Sequence, residues 1–325
     1  MRGSSRGFAV AGALLLALGG GIGLERLRSG PAGRVALSWP WAPEAASADA
    51  EVALATLLER PEGPARTAID SARESEPAPA VPPIPVPGEG LVIRVGLVSQ
   101  GRQASLGGTA AWTCTRSDGG RLQMPAGGSR GLGPILAGRG SALCRSVPGG
   151  TLTVNGTAYA GELQLFAGDG GATIVNNLPL EDYIASVVGA EMPASWPEHA
   201  LRAQAVAARS YALAHMARPA TTLFHLGDTT RWQAYRGLAS RHPRTRQAAA
   251  DTEGMILSFR GGIVESLYAA TDGISREAHG HLGASMSQHG ARTLAERGLT
   301  YVQILGRYYQ GASLARLNRS TGRES

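Results

Sequence analysis

The chain has 325 residues with a formal net charge of +6, and 43% of its residues are hydrophobic. That is enough length and apolar content for a sizeable core, which sets aside an intrinsically disordered chain. Lysine is absent, so every basic residue is an arginine, and the arginines are scattered rather than gathered in a stripe. No nucleic-acid partner follows from that distribution.

The N-terminus "MRGSSRGFAVAGALLLALGGGIGLERLR" sets Arg2 and Arg6 ahead of an apolar run from Phe8 to Leu24. Basic residues followed by an apolar stretch form a signal-anchor or signal-peptide pattern. Residues 1–29 are expected to be this segment. The reading favours an uncleaved single-pass anchor in the cytoplasmic membrane with the domain outside. A secreted or periplasmic protein is the alternative. Residues 30–90 are rich in Ala and Pro, and "ESEPAPAVPPIPVPGEG" excludes helix and central strand, so a linker is expected there.

The fold class expected is α+β: a small antiparallel β region, then an Ala-rich helical core and a β-hairpin. "LVIRVGLV" from Leu91 opens the folded part with strand alternation. A Gly-rich stretch to about Gly150 reads as irregular. Asn155-Gly156 marks a hairpin turn between strand-like runs. Cys114 and Cys144 are compatible with either a disulfide or two free thiols. "LEDYIASVV" has apolar residues on one helix face and is expected to stop before Pro193. A second helix follows in "SWPEHALRAQAVAARSYALAHMAR", with Ser195 as N-cap and Pro197 in its first turn. "HPRTRQAAADTEG" reads as a short helix and "MILSFRGGIVESLYAA" as a hairpin. "SMSQHGARTLAERG" and "TYVQILGRYY" read as two more helices. The folded domain is expected over 91–312, with 313–325 a polar tail.

One carboxylate stands out. Glu191 lies among Val188, Met192, Pro193 and Trp196. Packing of those side chains would desolvate it, raise its pKa and leave an acid that keeps its proton near neutral pH. A surface glutamate at a helix end is the other reading. Arg202 and Arg209, seven apart, fall on one helix face, and with Gln204 they could line a groove floor or form a solvated face. His279, His281 and His289 form the histidine cluster. It lacks cysteine or aspartate partners at metal spacing, so no metal and no cofactor are expected.

The stretch "NNLPLEDYIASVVGAEMPASWPEHALRAQAVAARSYAL" resembles the signature of the stage II sporulation protein D (SpoIID/LytB) family. "DTTRWQAYRG", "AAADTEGMILSFRGG" and "MSQHGARTLAERGLTYVQILGRYYQG" follow in the family's order, so the resemblance runs from about Leu91 to Gly311. It implies a peptidoglycan lytic transglycosylase that cleaves glycan strands, with Glu191 of the "EMP" motif as single acid/base. The product implied is a 1,6-anhydromuramoyl end. It further implies substrate contacts from Arg202, Arg209, Gln204, His281, Ser287 and Gln288, and cell-wall amidases as further partners. The chain departs from the family pattern in two places. The stretch between "YAATDG" and "HLGASMSQ" is short, and Leu282 takes the place of the family's histidine, beside His281. These departures keep a second function open: a non-catalytic glycan-binding or amidase-enhancing protein with the same fold.

Overall fold

A computed structural model describes residues 90–319 apart from 139, 170 and 280–284, together with the backbone of Pro83–Val86. The expected anchor, most of the linker and His281 lie outside the described residues. In chain order the strands begin with β1 (Pro83–Val86), β2 (Val92–Gly96), β3 (Ser105–Gly108), β4 (Trp112–Arg116), β5 (Arg121–Met124) and β6 (Ser129–Gly131). A single turn, α1 (Leu132–Leu136), precedes β7 (Ser141–Ser146), β8 (Leu152–Val154), β9 (Thr157–Tyr159), β10 (Glu162–Gly168) and β11 (Gly171–Pro179). Helices α2 (Leu180–Glu191) and α3 (Glu198–Ala217) follow, then β12 (Leu226–Gly227) and α4 (Pro243–Asp251). The chain closes with β13 (Met255–Phe259), β14 (Gly262–Ile263), β15 (Leu267–Ala269), α5 (Asp272–His279), β16 (Ser285–Ser287), α6 (Gln288–Glu296), α7 (Tyr301–Tyr308) and β17 (Ser313–Arg319).

The architecture is α+β. A seven-stranded sheet runs in the order β12-β2-β11-β10-β7-β4-β5, and β6-β3-β8-β9 form a second sheet. The stretch to Gly150 is therefore not irregular, as its glycines suggested. It supplies β3 to β7. Its strands are short, and "WTCTR" alternates buried and exposed side chains, with Trp112 and Cys114 inside. Cys114 and Cys144 stand directly opposite each other in the antiparallel β4–β7 pair and form a disulfide. The Asn155-Gly156 turn joins β8 to β9 as expected. Both residues have positive φ (48° and 83°), as a two-residue hairpin turn requires.

The hairpin in "MILSFRGGIVESL" turns on Arg260-Gly261, one residue earlier than its glycine pair suggested, and joins β13 to β14. The C-terminal stretch beyond residue 312 is strand rather than tail up to Arg319: β17 lies between β13 and β1. β1 carries Pro83 and Pro85 and holds the edge of that sheet, where a missing N–H costs no ladder bond.

The core continues into the helices. α2 buries Leu180, Tyr183, Ile184, Val187 and Val188, one face of a 3.6-residue repeat. α3 is buried on almost every side, and its alanines let α2, α4, α6, α7 and β13 approach closely. It starts at Glu198, with Pro197 rather than Ser195 in the N-cap position. Ser195 is left exposed, because Pro197 fixes an extended backbone one residue before the helix.

Candidate functional site

Glu191 is the last residue of α2. Its neighbour Met192 precedes Pro193, and a residue before proline is pushed out of helical geometry; Met192 is extended (φ −131°, ψ 141°). The sequence thus stops the helix where the carboxyl group is needed. Gly189 lets the same turn press on the 3₁₀ turn Gly237–Ser240, since a Cβ there would meet the Ser240 carbonyl oxygen at 1.9 Å.

Each oxygen of the carboxyl group is held by one donor. The backbone N–H of Ala234 donates to Oε1 at 2.7 Å, and Gln288 Nε2 donates to Oε2 at 3.2 Å. Burial pushes the Glu191 pKa above the ordinary glutamate value, while these two donors and the charge of Arg236 pull the other way. The negative end of the α2 dipole lies at the same place and also disfavours a carboxylate.

The loop that presents Ala234 is pinned from below. Asp228 accepts from the Ser99 backbone N–H at 3.0 Å and from the Ser99 hydroxyl. The Tyr235 backbone N–H donates to the Asp228 carbonyl at 3.1 Å, and the Tyr235 hydroxyl donates to Asn176 Oδ1 of β11 at 2.7 Å. Gln233 is wholly buried. It accepts from the Tyr183 hydroxyl at 2.9 Å, and its Nε2 donates to the Ala208 carbonyl (3.1 Å) and the Tyr268 hydroxyl (2.9 Å). On the other side, Ser287 caps α6 by accepting from the Gly290 N–H at 3.0 Å, which sets Gln288 in its first turn. His289 packs on Trp196 with ring centroids 4.9 Å apart, and the Arg292 guanidinium lies over the same indole.

Of the residues expected at the site, the structure brings Gln288 to Glu191 and spends Ser287 on the cap. The two arginines sit elsewhere. Arg209 is fully buried, and all five of its N–H groups are engaged. They make a bidentate pair with Glu181 (2.8 and 2.6 Å) and bonds to the carbonyls of Met255, Ala249 and Ala205. That guanidinium packs α3 against α2, α4 and β13 rather than lining a groove. Arg202 pairs with Glu198 and, at 2.6 Å, with Asp251 on the same side of α3. Gln204 points to the opposite side of α3 and is wholly buried, with no hydrogen-bond partner for its amide among the described residues. His281 lies outside the described residues. Among the described residues there is no group of three or more His, Cys, Asp or Glu side chains placed to hold a metal ion.

The motif reading missed Ala234, Gln233, Tyr183 and Tyr268. "WQAYRG" was visible as a polar, aromatic loop, but a backbone N–H leaves no trace in residue types.

Residues 168–259, which contain α2, α3, the 228–236 loop and α4, match the family model SpoIID, described as Stage II sporulation protein. Over those residues the chain is similar to the SpoIID family. An uncharacterized protein of Brachyspira hyodysenteriae is 36% identical over 122 residues, covering 37% of this chain and 33% of that protein. The Amidase enhancer of Bacillus subtilis is 38% identical over 102 residues, covering 31% of this chain and 14% of that protein. Stage II sporulation protein D of Bacillus subtilis is 30% identical over 123 residues, covering 33% and 36%. The chain thus spans about a third or less of the length of the curated relatives it matches. Glu191, Ala234 and Gln233 all fall inside the SpoIID match, whereas Tyr268 and Gln288 lie beyond it.

Proposed function

We propose that the SpoIID domain acts on peptidoglycan as a lytic transglycosylase with Glu191 as its sole acid/base. The setting of that carboxyl group carries the reading: desolvated at a helix end, pKa raised, and held at both oxygens by neutral donors. Such a group keeps its proton until a leaving group needs it. Glu191 protonates the glycosidic oxygen as the C–O bond to muramic acid breaks. The carboxylate so formed takes the proton of the muramoyl 6-hydroxyl, whose oxygen closes on C1. The product is a 1,6-anhydro ring, no water is consumed, and Glu191 ends protonated as it began. A second catalytic carboxylate of the ordinary glycosidase pair is not required. Asp228, the other desolvated carboxyl group nearby in sequence to the site loop, is occupied by Ser99 at both oxygens.

The disulfide between Cys114 and Cys144 supports an oxidising, extracytoplasmic compartment. The N-terminal arginines and apolar run of the sequence support a membrane tether.

The second reading is a non-catalytic glycan-binding protein that enhances a cell-wall amidase. It is favoured by the name of one Bacillus subtilis relative, Amidase enhancer, and by the short stretch before "HLGASMSQ". Purified protein incubated with peptidoglycan, alone and with a cell-wall amidase, separates the two. Anhydromuramoyl ends released by the protein alone are expected. Faster amidase release with no anhydro ends would favour the second reading.

A further inference from the structure

A cavity of about 300 Å³ opens where the starts of α5 and α6 meet the end of α7. Asp272, Ser287, His289, Thr293, Arg307 and Tyr308 are among its walls. Ser287 is one of them, and the next residue is the Gln288 that donates to Glu191. The cavity is therefore one residue removed from the grip on the carboxyl group, and the acid/base chemistry uses none of its charged groups.

Gly290 makes this packing possible, since a Cβ there would meet the Tyr308 hydroxyl at 1.9 Å. That hydroxyl takes a hydrogen bond from Ser287 and gives one to Asp272, whose carboxylate can only accept. Asp272 is thus oriented on one wall by a chain that starts at the α6 cap. Arg307, the neighbour of Tyr308, brings a cation to the same cavity. Both charged residues are exposed, and they form no ion pair with each other.

The two charges together select the ligand. A simple anion drawn to Arg307 would also meet Asp272, and a simple cation drawn to Asp272 would also meet Arg307. A group that carries an ammonium and a carboxylate on one carbon satisfies both walls. The volume suits one such end group rather than a run of sugar rings.

We propose that this cavity is a peptide subsite that takes the free ammonium–carboxylate end of a diamino acid in a peptidoglycan stem peptide, while the glycan strand lies at Glu191. The inference rests on the glycan reading above and adds a subsite outside the SpoIID match.

The test is binding of purified glycan strands to the Glu191→Gln protein, which leaves the ligand intact. Strands bearing diaminopimelate stems are compared with the same strands stripped of stems by an amidase. Intact stems are expected to bind roughly three- to tenfold tighter, the worth of two solvent-exposed charge contacts. Adding Asp272→Asn or Arg307→Gln is expected to remove most of that advantage at unchanged Tm and leave affinity for stripped strands as it was. Equal affinity for intact and stripped strands would overturn the proposal while the glycan reading stood. So would an equal loss on both kinds of strand, which would mean that the cavity holds sugar. An effect from only one of the two variants would overturn it too, since a site for a simple ion would suffice. Failure to bind either kind of strand would sink the glycan reading and this inference with it.

Discussion

A wholly buried guanidinium stays stable only when all its donors are met, and Arg209 meets that condition through Glu181 and three carbonyls. Arg209→Ala is therefore expected to cost about 3–5 kcal/mol, seen as a drop in the denaturation midpoint. Activity per folded molecule should be retained. A selective loss of activity at unchanged stability would instead put Arg209 at the substrate. The seven-residue spacing of Arg202 and Arg209 correctly gave one helix face, but spacing cannot say whether that face meets substrate or the core. Glu191 was legible because its sequence neighbours are apolar, and burial in the fold does raise its pKa. Its pKa is raised in the folded state, so its contribution to stability is full below the unfolded glutamate value of about 4.3 and falls as pH rises through the folded pKa. Thermal unfolding from pH 4 to 8 should show the parent losing stability relative to Glu191→Gln over that range. Parallel curves would show that the carboxyl group is not desolvated.

Helix α2 shows what local sequence fixes at the level of the element. Its apolar repeat sets the buried face, and Met192-Pro193 sets the stop. The strands β3 to β7 were harder to read, because three- to six-residue strands broken by glycines give too few alternations to stand out. β17 was missed for another reason. "SLARLNR" is polar enough to pass for a tail, and only its pairing with β13 and β1 makes it a strand. The contact between α2 and the Gly237–Ser240 turn was likewise invisible in sequence, yet it positions the site. Gly189→Ala would drive a Cβ into the Ser240 carbonyl. A destabilisation of about 1–3 kcal/mol is expected. Turnover should fall further than the folded fraction does, because Glu191 lies two residues on. An Ala variant with parent stability and rate would mean that the turn yields freely.

For the molecule as a whole, the 228–236 loop leaves β12 at the edge of the seven-stranded sheet. The site draws one group from each of three stretches far apart in the chain: Glu191, the Ala234 N–H and Gln288. Motif reading could find the first and the third, since their residue types carry the chemistry. The second required the fold. Every stretch serves a single carboxyl group, so the central claim reduces to what that group does. The direct measurement is release of 1,6-anhydromuramoyl ends from purified peptidoglycan by the parent and by Glu191→Gln, whose side chain keeps the shape and loses the acid. The parent should release them, and the variant should be slower by roughly 10²–10⁴-fold with its fold intact. Release by the variant at near the parent rate would contradict the assignment of Glu191.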